Sequence, residues 1–240
     1  GERPSDRFIG FGDPVYDYES YRAGRPEKEE GFKGPGRTLS EEMTRTRFAG
    51  AGGRLGRLKG SGDEIRAIEG IFRQVKRDEQ GLLRLAAREA SAKAEDMHEY
   101  GYIHFSAHGI VDPRFQAIVL SQIPGDKEDG FLTLGELMNC RYNAHLVVLS
   151  ACRTGLGAME RGEGITGLMR AVMYAGSRAA VVSLWAVSDL GTKELMSRFY
   201  ENMIRKGLPR EEALRRAKLA LLETSFRHPF FWSGFVMYGE

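Results

Sequence analysis

The sequence predicts an α/β fold: a mainly parallel sheet with helices on both faces. Three observations carry this. Strand-like and helix-like segments alternate along most of the chain, the order that builds parallel sheets. The strand segments are continuous apolar runs, as in "LVVLSAC" and "AAVVSLW", which suits strands covered on both sides. A chain of 240 residues, 42% of them hydrophobic, is long enough for one large core.

The elements follow in order. "RFIGFGDP" is a short apolar run stopped by Gly12 and Pro14, and reads as a strand. Residues 1 to 62 hold 13 of the 30 glycines and four of the eight prolines, so the rest of that stretch reads mostly as loop. From about Tyr16 to Gly62 it shows no sustained hydrophobic period, which predicts a long, exposed and flexible insertion. "GDEIRAIEGIFRQVK" then places Ile65, Ile68, Ile71, Phe72 and Val75 at helical spacing, with Asp63 as N-cap. An apolar run, "GLLRLAAR", precedes a helix in "ASAKAEDMHEY" and a strand in "YGYIHFSAHG". "AIVLS" and "GFLTL" flank a charged turn and predict a hairpin, followed by a short helix at "LGELMN". After the strand "AHLVVLSAC" comes a helix in "EGITGLMRAVMYAG", ended by Gly176. The buried strand "SRAAVVSLWAV" leads to helices over about Asp189 to Lys206 and Pro209 to Thr224, the second with proline at its first position. All of this fits a single domain.

Composition narrows the function classes. Lys and Arg number 35 against 33 Asp and Glu, a formal charge of +2, so no basic arm for nucleic acid stands out. No apolar run approaches the ~18 residues of a membrane helix, and "GERPSDRF" lacks the apolar core of a signal peptide. Two cysteines, Cys140 and Cys152, make no disulfide framework, which points to a reducing cytoplasm.

Two strands end in reactive side chains. "YIHFSAHG" ends at His108 and Gly109, and "VVLSAC" ends at Cys152. Neighbouring parallel strands would bring both to the carboxyl edge of the sheet, where open α/β sheets place their ligands. A thiol acts as nucleophile in its thiolate form, and a nearby imidazole can take its proton. The backbone N–H groups of Gly109 and Cys152 are then suited to hold an oxyanion. For Cys152 the plainer reading is a buried structural thiol. His104 would share a strand face with His108, which invites a metal reading. The cysteines form no ligand spacing to complete such a site, so packing and hydrogen bonding suit His104 better, and no metal or cofactor is expected. "GLGAMERGEG" lacks the Walker lysine and the dinucleotide glycine spacing, so nucleotide binding is set aside. Trp185 and Trp232 read as core residues, and Asp189 as a cap of the helix it precedes.

Taken in order, "YIHFSAHG", "LVVLSACRTGLG", "GEGITGLMRAVMYAG", "VVSLWAVSD", "FYENMIRKG", "EEALRRAK" and "HPFFWSGFVMYG" resemble the successive motifs of CHAT domains. These are caspase-like peptidase domains often linked to tetratricopeptide repeats in bacteria, and the likeness runs from about Gly101 to Gly239. "RFIGFGDPVYD" and "KGSGDEIRAIEGIF" resemble the weaker amino-terminal part of the family, separated by the insertion. The resemblance implies a caspase–separase three-layer sandwich with a six-stranded, mainly parallel sheet. It implies a cysteine–histidine dyad of His108 and Cys152, cutting peptide bonds in a protein substrate. It also implies control by a sensor domain or partner, such as tetratricopeptide repeats, with bacterial immunity among the family's settings. "LWAVSD" is similar to a separase stretch whose aspartate receives arginine, which gives Asp189 a substrate-binding role and predicts cleavage after Arg or Lys. The competing expectation is a catalytically silent member that serves as a docking module.

Overall fold

The structure, a computed structural model, describes residues 4–27, 55–112, 115–150, 163–185, 187 and 189–239. Its centre is a six-stranded sheet made of β1 (Phe8–Gly12), β2 (Glu79–Leu83), β3 (Tyr102–Ser106), β7 (Leu146–Leu149), β8 (Ala179–Ser183) and β9 (Phe235–Gly239), in the spatial order β2-β1-β3-β7-β8-β9. Every neighbouring pair is parallel except β8–β9, which is antiparallel. This is the six-stranded, mainly parallel sheet that the sequence predicts. The four inner strands are buried along their whole length, so both faces are covered and the sequence needs no polar alternation there.

Side chains alternate between the two faces, as the two-residue period of a strand requires. Phe8, Tyr102, Leu146, Val148 and Val181 meet a layer formed by α2 (Lys59–Gln74), α6 (Asp189–Tyr200) and α7 (Arg210–Leu221). On the opposite face, Ile9, Ile103, Phe105, Val147 and Val182 meet α4 (Leu134–Asn139) and α5 (Glu163–Tyr174). Beyond β3 the chain adds a second, antiparallel sheet in the order β4 (Gly109–Asp112), β5 (Phe115–Val119), β6 (Phe131–Thr133). The hairpin of β5 and β6 is the predicted one. β4 was not expected, because the run "GIVD" is too short to announce itself beside the glycine.

Several expectations are corrected. α2 begins at Lys59 with Leu58 in the cap position, so Asp63 lies inside the helix and does not cap it. Its first turn lacks apolar residues, which hid the true start. Tyr16, Leu55 and Leu58 are buried in one cluster with Ile110, Val119 and Phe131. A short helix, α1 (Tyr18–Arg22), is capped by the Asp17 side chain. Tyr16 and the 55–62 end of the stretch are therefore packed structure, residues 22–26 are exposed, and residues 28–54 lie outside the described residues. The helix expected in "ASAKAEDMHEY" is two pieces, α3 (Glu89–Ala92) and a 3₁₀ segment, Glu95–Glu99. Pro209 occupies the cap rather than the first position of α7. Trp185 and Trp232 are half-buried rather than central.

One glycine sets the seat of α2. A Cβ at Gly12, the last residue of β1, would stand 2.7 Å from the Ile65 side chain and 2.8 Å from the Ser61 carbonyl oxygen. Its absence lets the first turns of α2 press onto the carboxyl end of β1. The segment leading into α2 is thereby brought to the edge where β3 ends.

Candidate active site

β3 and β7 are direct neighbours, in register from Tyr102 opposite Leu146 to Phe105 opposite Leu149. Pairing continues one residue further, where the Ser150 N–H donates to the Phe105 carbonyl at 3.0 Å. β3 and β7 thus end side by side. His108 follows β3 by two residues. Cys152 follows Ser150 by two residues and lies outside the described residues.

His108 is 3% exposed and is held on three sides. Its Nε2 is 2.8 Å from the Gly56 carbonyl oxygen, in the segment entering α2. A carbonyl can only accept, so Nε2 carries the hydrogen and Nδ1 is the basic nitrogen of the neutral ring. The Tyr16 ring packs against the imidazole at a centroid distance of 4.8 Å. The Tyr16 hydroxyl accepts the His108 N–H at 3.1 Å and donates to the Val119 carbonyl at 3.3 Å. It therefore wedges into the ladder where His108 and Val119 face each other, opposite the direct bond from Val119 N–H to the His108 carbonyl at 2.7 Å. Antiparallel pairing alternates, so the next pair, Gly109 opposite Ile118, is a non-hydrogen-bonded one. The Gly109 N–H is consequently directed away from β5.

His104, four residues earlier, is bound in a different way. It is fully buried on the α2 side of the sheet. Its Nε2 lies 2.8 Å from Glu64 Oε1 and its Nδ1 3.2 Å from the Tyr200 hydroxyl. Burial pushes the Tyr200 phenol well above its ordinary pKa, which keeps it a donor to Nδ1. Ser106 Oγ donates to the other Glu64 oxygen at 2.8 Å. This is the packing and hydrogen-bonding role that suited His104 in the sequence. His104 and His108 do not converge.

Cys140 closes α4 and is half-buried, with its thiol 3.5 Å from the Glu136 carbonyl. Desolvation pushes this thiol up, away from the thiolate form. Asp189 is the first residue of α6 and half-buried, so it lies in that helix's first turn. It packs on α2, where a Cβ at Gly60 would approach its own Cβ to 2.5 Å.

Among the described residues, one group of three metal-ligating types comes together: Glu89, Glu128 and Glu136. The Lys93 ammonium lies among them at 3.1, 2.6 and 3.2 Å, and supplies the compensating charge. Burial pushes Glu89 up to about 7 against the pull of Lys93. Sequence reasoning missed Tyr16 and Gly56. The only local signal for Tyr16 was its place directly after "FGDPV", within reach of the end of β1.

A mostly parallel sheet between two helical layers, with a histidine and then a glycine just past one strand and a neighbouring strand that leads to a cysteine, is an arrangement of the caspase-like class. Residues 7–240 match the CHAT domain family, and the chain belongs to it. That family is related to the caspase-like peptidases. Tetratricopeptide repeat protein 28 of Mus musculus is 32% identical over 110 residues, which is 45% of this chain and 4% of that protein. Its Homo sapiens counterpart is 30% identical over 110 residues, again 45% of this chain and 4% of the relative. The relatives' names fit an association of this domain with tetratricopeptide repeats. Among the described residues no helix is long and apolar enough to cross a membrane.

Proposed function

We propose that the chain is a cysteine endopeptidase with His108 and Cys152 as its dyad. The observation that carries this reading is the direct pairing of β3 with β7, with His108 fixed just past the end of β3. In the chain Cys152 comes two residues after Ser150, the residue that extends the β3–β7 pairing. In the reaction, His108 Nδ1 takes the thiol proton as the Cys152 sulfur bonds to the scissile carbonyl carbon. The carbonyl electron pair moves onto oxygen, where the N–H groups of Gly109 and Cys152 stabilise it. Collapse breaks the C–N bond, and the leaving amine takes the proton from the imidazolium. Water then gives a proton to His108 while its oxygen attacks the thioester, and release of the thiolate restores the dyad. The substrate is a protein segment, and access to it is governed by a sensor domain or partner, with tetratricopeptide repeats favoured by the relatives' names.

Asp189 gives the site a preference for Arg or Lys before the scissile bond. It follows β8, the strand beside β7, and its carboxylate would pair with a basic side chain, bidentately with arginine. Asp189→Ala should abolish the basic preference in a positional peptide library. An acidic or apolar preference, or an unchanged basic one, would remove Asp189 from the pocket.

The central experiment is labelling with a peptidyl acyloxymethyl ketone. Stoichiometric modification of Cys152 with Cys140 untouched is expected, since the Cys140 thiol is pushed towards its unreactive form. No labelling in any activated state would make the domain a docking module.

A further inference from the structure

We propose that Asp13 is a positioning residue for His108, acting through Arg57 to hold the Gly56 carbonyl against the imidazole. The proposal rests on the peptidase reading above for its consequence in turnover. Its structural basis is independent of that reading.

Asp13 follows β1, the strand next to β3, and is 3% exposed. Its two carboxylate oxygens accept from Arg57 Nε at 2.8 Å and Arg57 Nη2 at 2.6 Å, a bidentate fork. Arg57 is the residue after Gly56, whose carbonyl accepts from His108 Nε2. The Gly56 carbonyl and the Arg57 nitrogen belong to one planar peptide unit, so fixing the Arg57 side chain restrains the peptide that orients the histidine. Asp13 is itself anchored. Its N–H donates to Ser61 Oγ at 2.7 Å, and Arg84 Nη1 adds a second guanidinium contact at 2.8 Å. Arg84 Nη2 pairs in turn with Glu27.

Backbone conformation marks the same pair of residues. Asp13 at φ 47° and Arg84 at φ 55° both lie in the left-handed region. Non-glycine residues persist there when surrounding contacts over-determine them, and such strain gathers at functional sites. A surface ion pair would need none of this. The arrangement joins the end of β1 to the entry of α2 next to the residue whose carbonyl accepts from His108. Tyr16, three residues beyond Asp13, grips the same histidine from its other side.

Asp13→Asn tests the clamp, because asparagine tolerates the left-handed backbone while it removes the charge and one of the two acceptor oxygens of the fork. Arg57→Lys is the second variant: it keeps the charge and loses the fork. Turnover is read with a fluorogenic peptide ending in arginine, folding by circular dichroism and thermal melting. The His108 tautomer is read by ¹⁵N imidazole NMR, assigned with His108→Ala. Expected in folded variants is a fall in kcat of about tenfold or more with KM changed less than about twofold, since a displacement of about 1 Å can cost 10²-fold. The His108 ring should move from the Nε2–H tautomer towards a mixture, and the double variant should be no worse than the poorer single one. If Asp13→Asn fails to fold, Arg57→Lys decides alone. Full kcat with an unchanged tautomer overturns the clamp. If the wild-type chain neither cleaves nor labels, the peptidase reading fails. The tautomer then still judges the clamp, upheld by a shift and overturned by none.

Discussion

His104 and His108 sit four residues apart, both buried, and are held in opposite ways. The His104 ring is held by side chains packed between sheet and helices: Glu64 and Tyr200 on its two nitrogens, with Ser106 completing the Glu64 carboxylate. The contacts described around His108 include a peptide carbonyl on the ring, and a tyrosine whose ring packs on the imidazole and whose hydroxyl accepts the backbone N–H. Burial therefore does not separate a structural histidine from a candidate catalytic one. A side-chain network inside the layers ties sheet to helices, whereas the His108 ring beyond the end of β3 is oriented by a backbone carbonyl from the entry of α2.

The hardest blow to this contrast would come from the edge. Cys152→Ala should abolish cleavage, and His108→Ala should cut turnover by ~10²–10⁴, the usual worth of general acid–base assistance. Melting should show both variants folded, and Cys140→Ala should leave activity near wild type. Equal loss on replacing either cysteine would erase the distinction.

His104→Ala should act on stability instead. It leaves Glu64 buried with one partner fewer and opens space in the layer, at a cost of about 3 kcal/mol in urea unfolding. At temperatures where the variant remains folded, its turnover should stay within a few-fold of wild type. A folded His104 variant without turnover would show that the interior network is part of the site.

Tyr16→Phe sharpens the comparison, because it touches both properties at once. Loss of the hydroxyl strands the His108 N–H and the Val119 carbonyl, at a cost of about 1–3 kcal/mol. Amide hydrogen exchange at His108 and in β5 should rise with it. Unchanged exchange would mean that the wedge is dispensable.

The smallest effect concerns Glu89, in the carboxylate group around Lys93. It accepts the Gly130 N–H at 2.9 Å and is pushed up to about 7 by burial. Its folded value lies above the ordinary carboxyl value, so the folded state holds the extra proton. Its contribution is fully present below the unfolded pKa of about 4.5 and is lost as pH rises through about 7. Glu89→Gln should accordingly flatten the change in unfolding free energy between pH 5 and 7.5. A slope identical to wild type would assign that dependence to other groups.

Much of the fold was legible because burial leaves a local trace. The inner strands announced themselves as apolar runs, and the long helices by their 3.6-residue period. β4 escaped because it is four residues long, and α2 was entered late because its first turn is Lys59, Gly60, Ser61 and Gly62. His108 was legible as the last polar residue of a buried strand, before a glycine. Tyr16 was assigned to an exposed insertion because the glycine-rich residues after it diluted every periodicity.

By itself the sequence determined which segments must be covered and the order in which most strands and helices follow one another. Those properties depend on residues within a turn or two of one another. Only the tertiary structure decided that β3 lies beside β7, and that Tyr16 and Gly56 close on His108 from 92 and 52 residues away. It also decided that Asp13 reaches Arg57 across 44 residues. A hydrogen bond or an ion pair has no period along the chain, so its partners become visible only when packing of the layers brings them within about 3 Å.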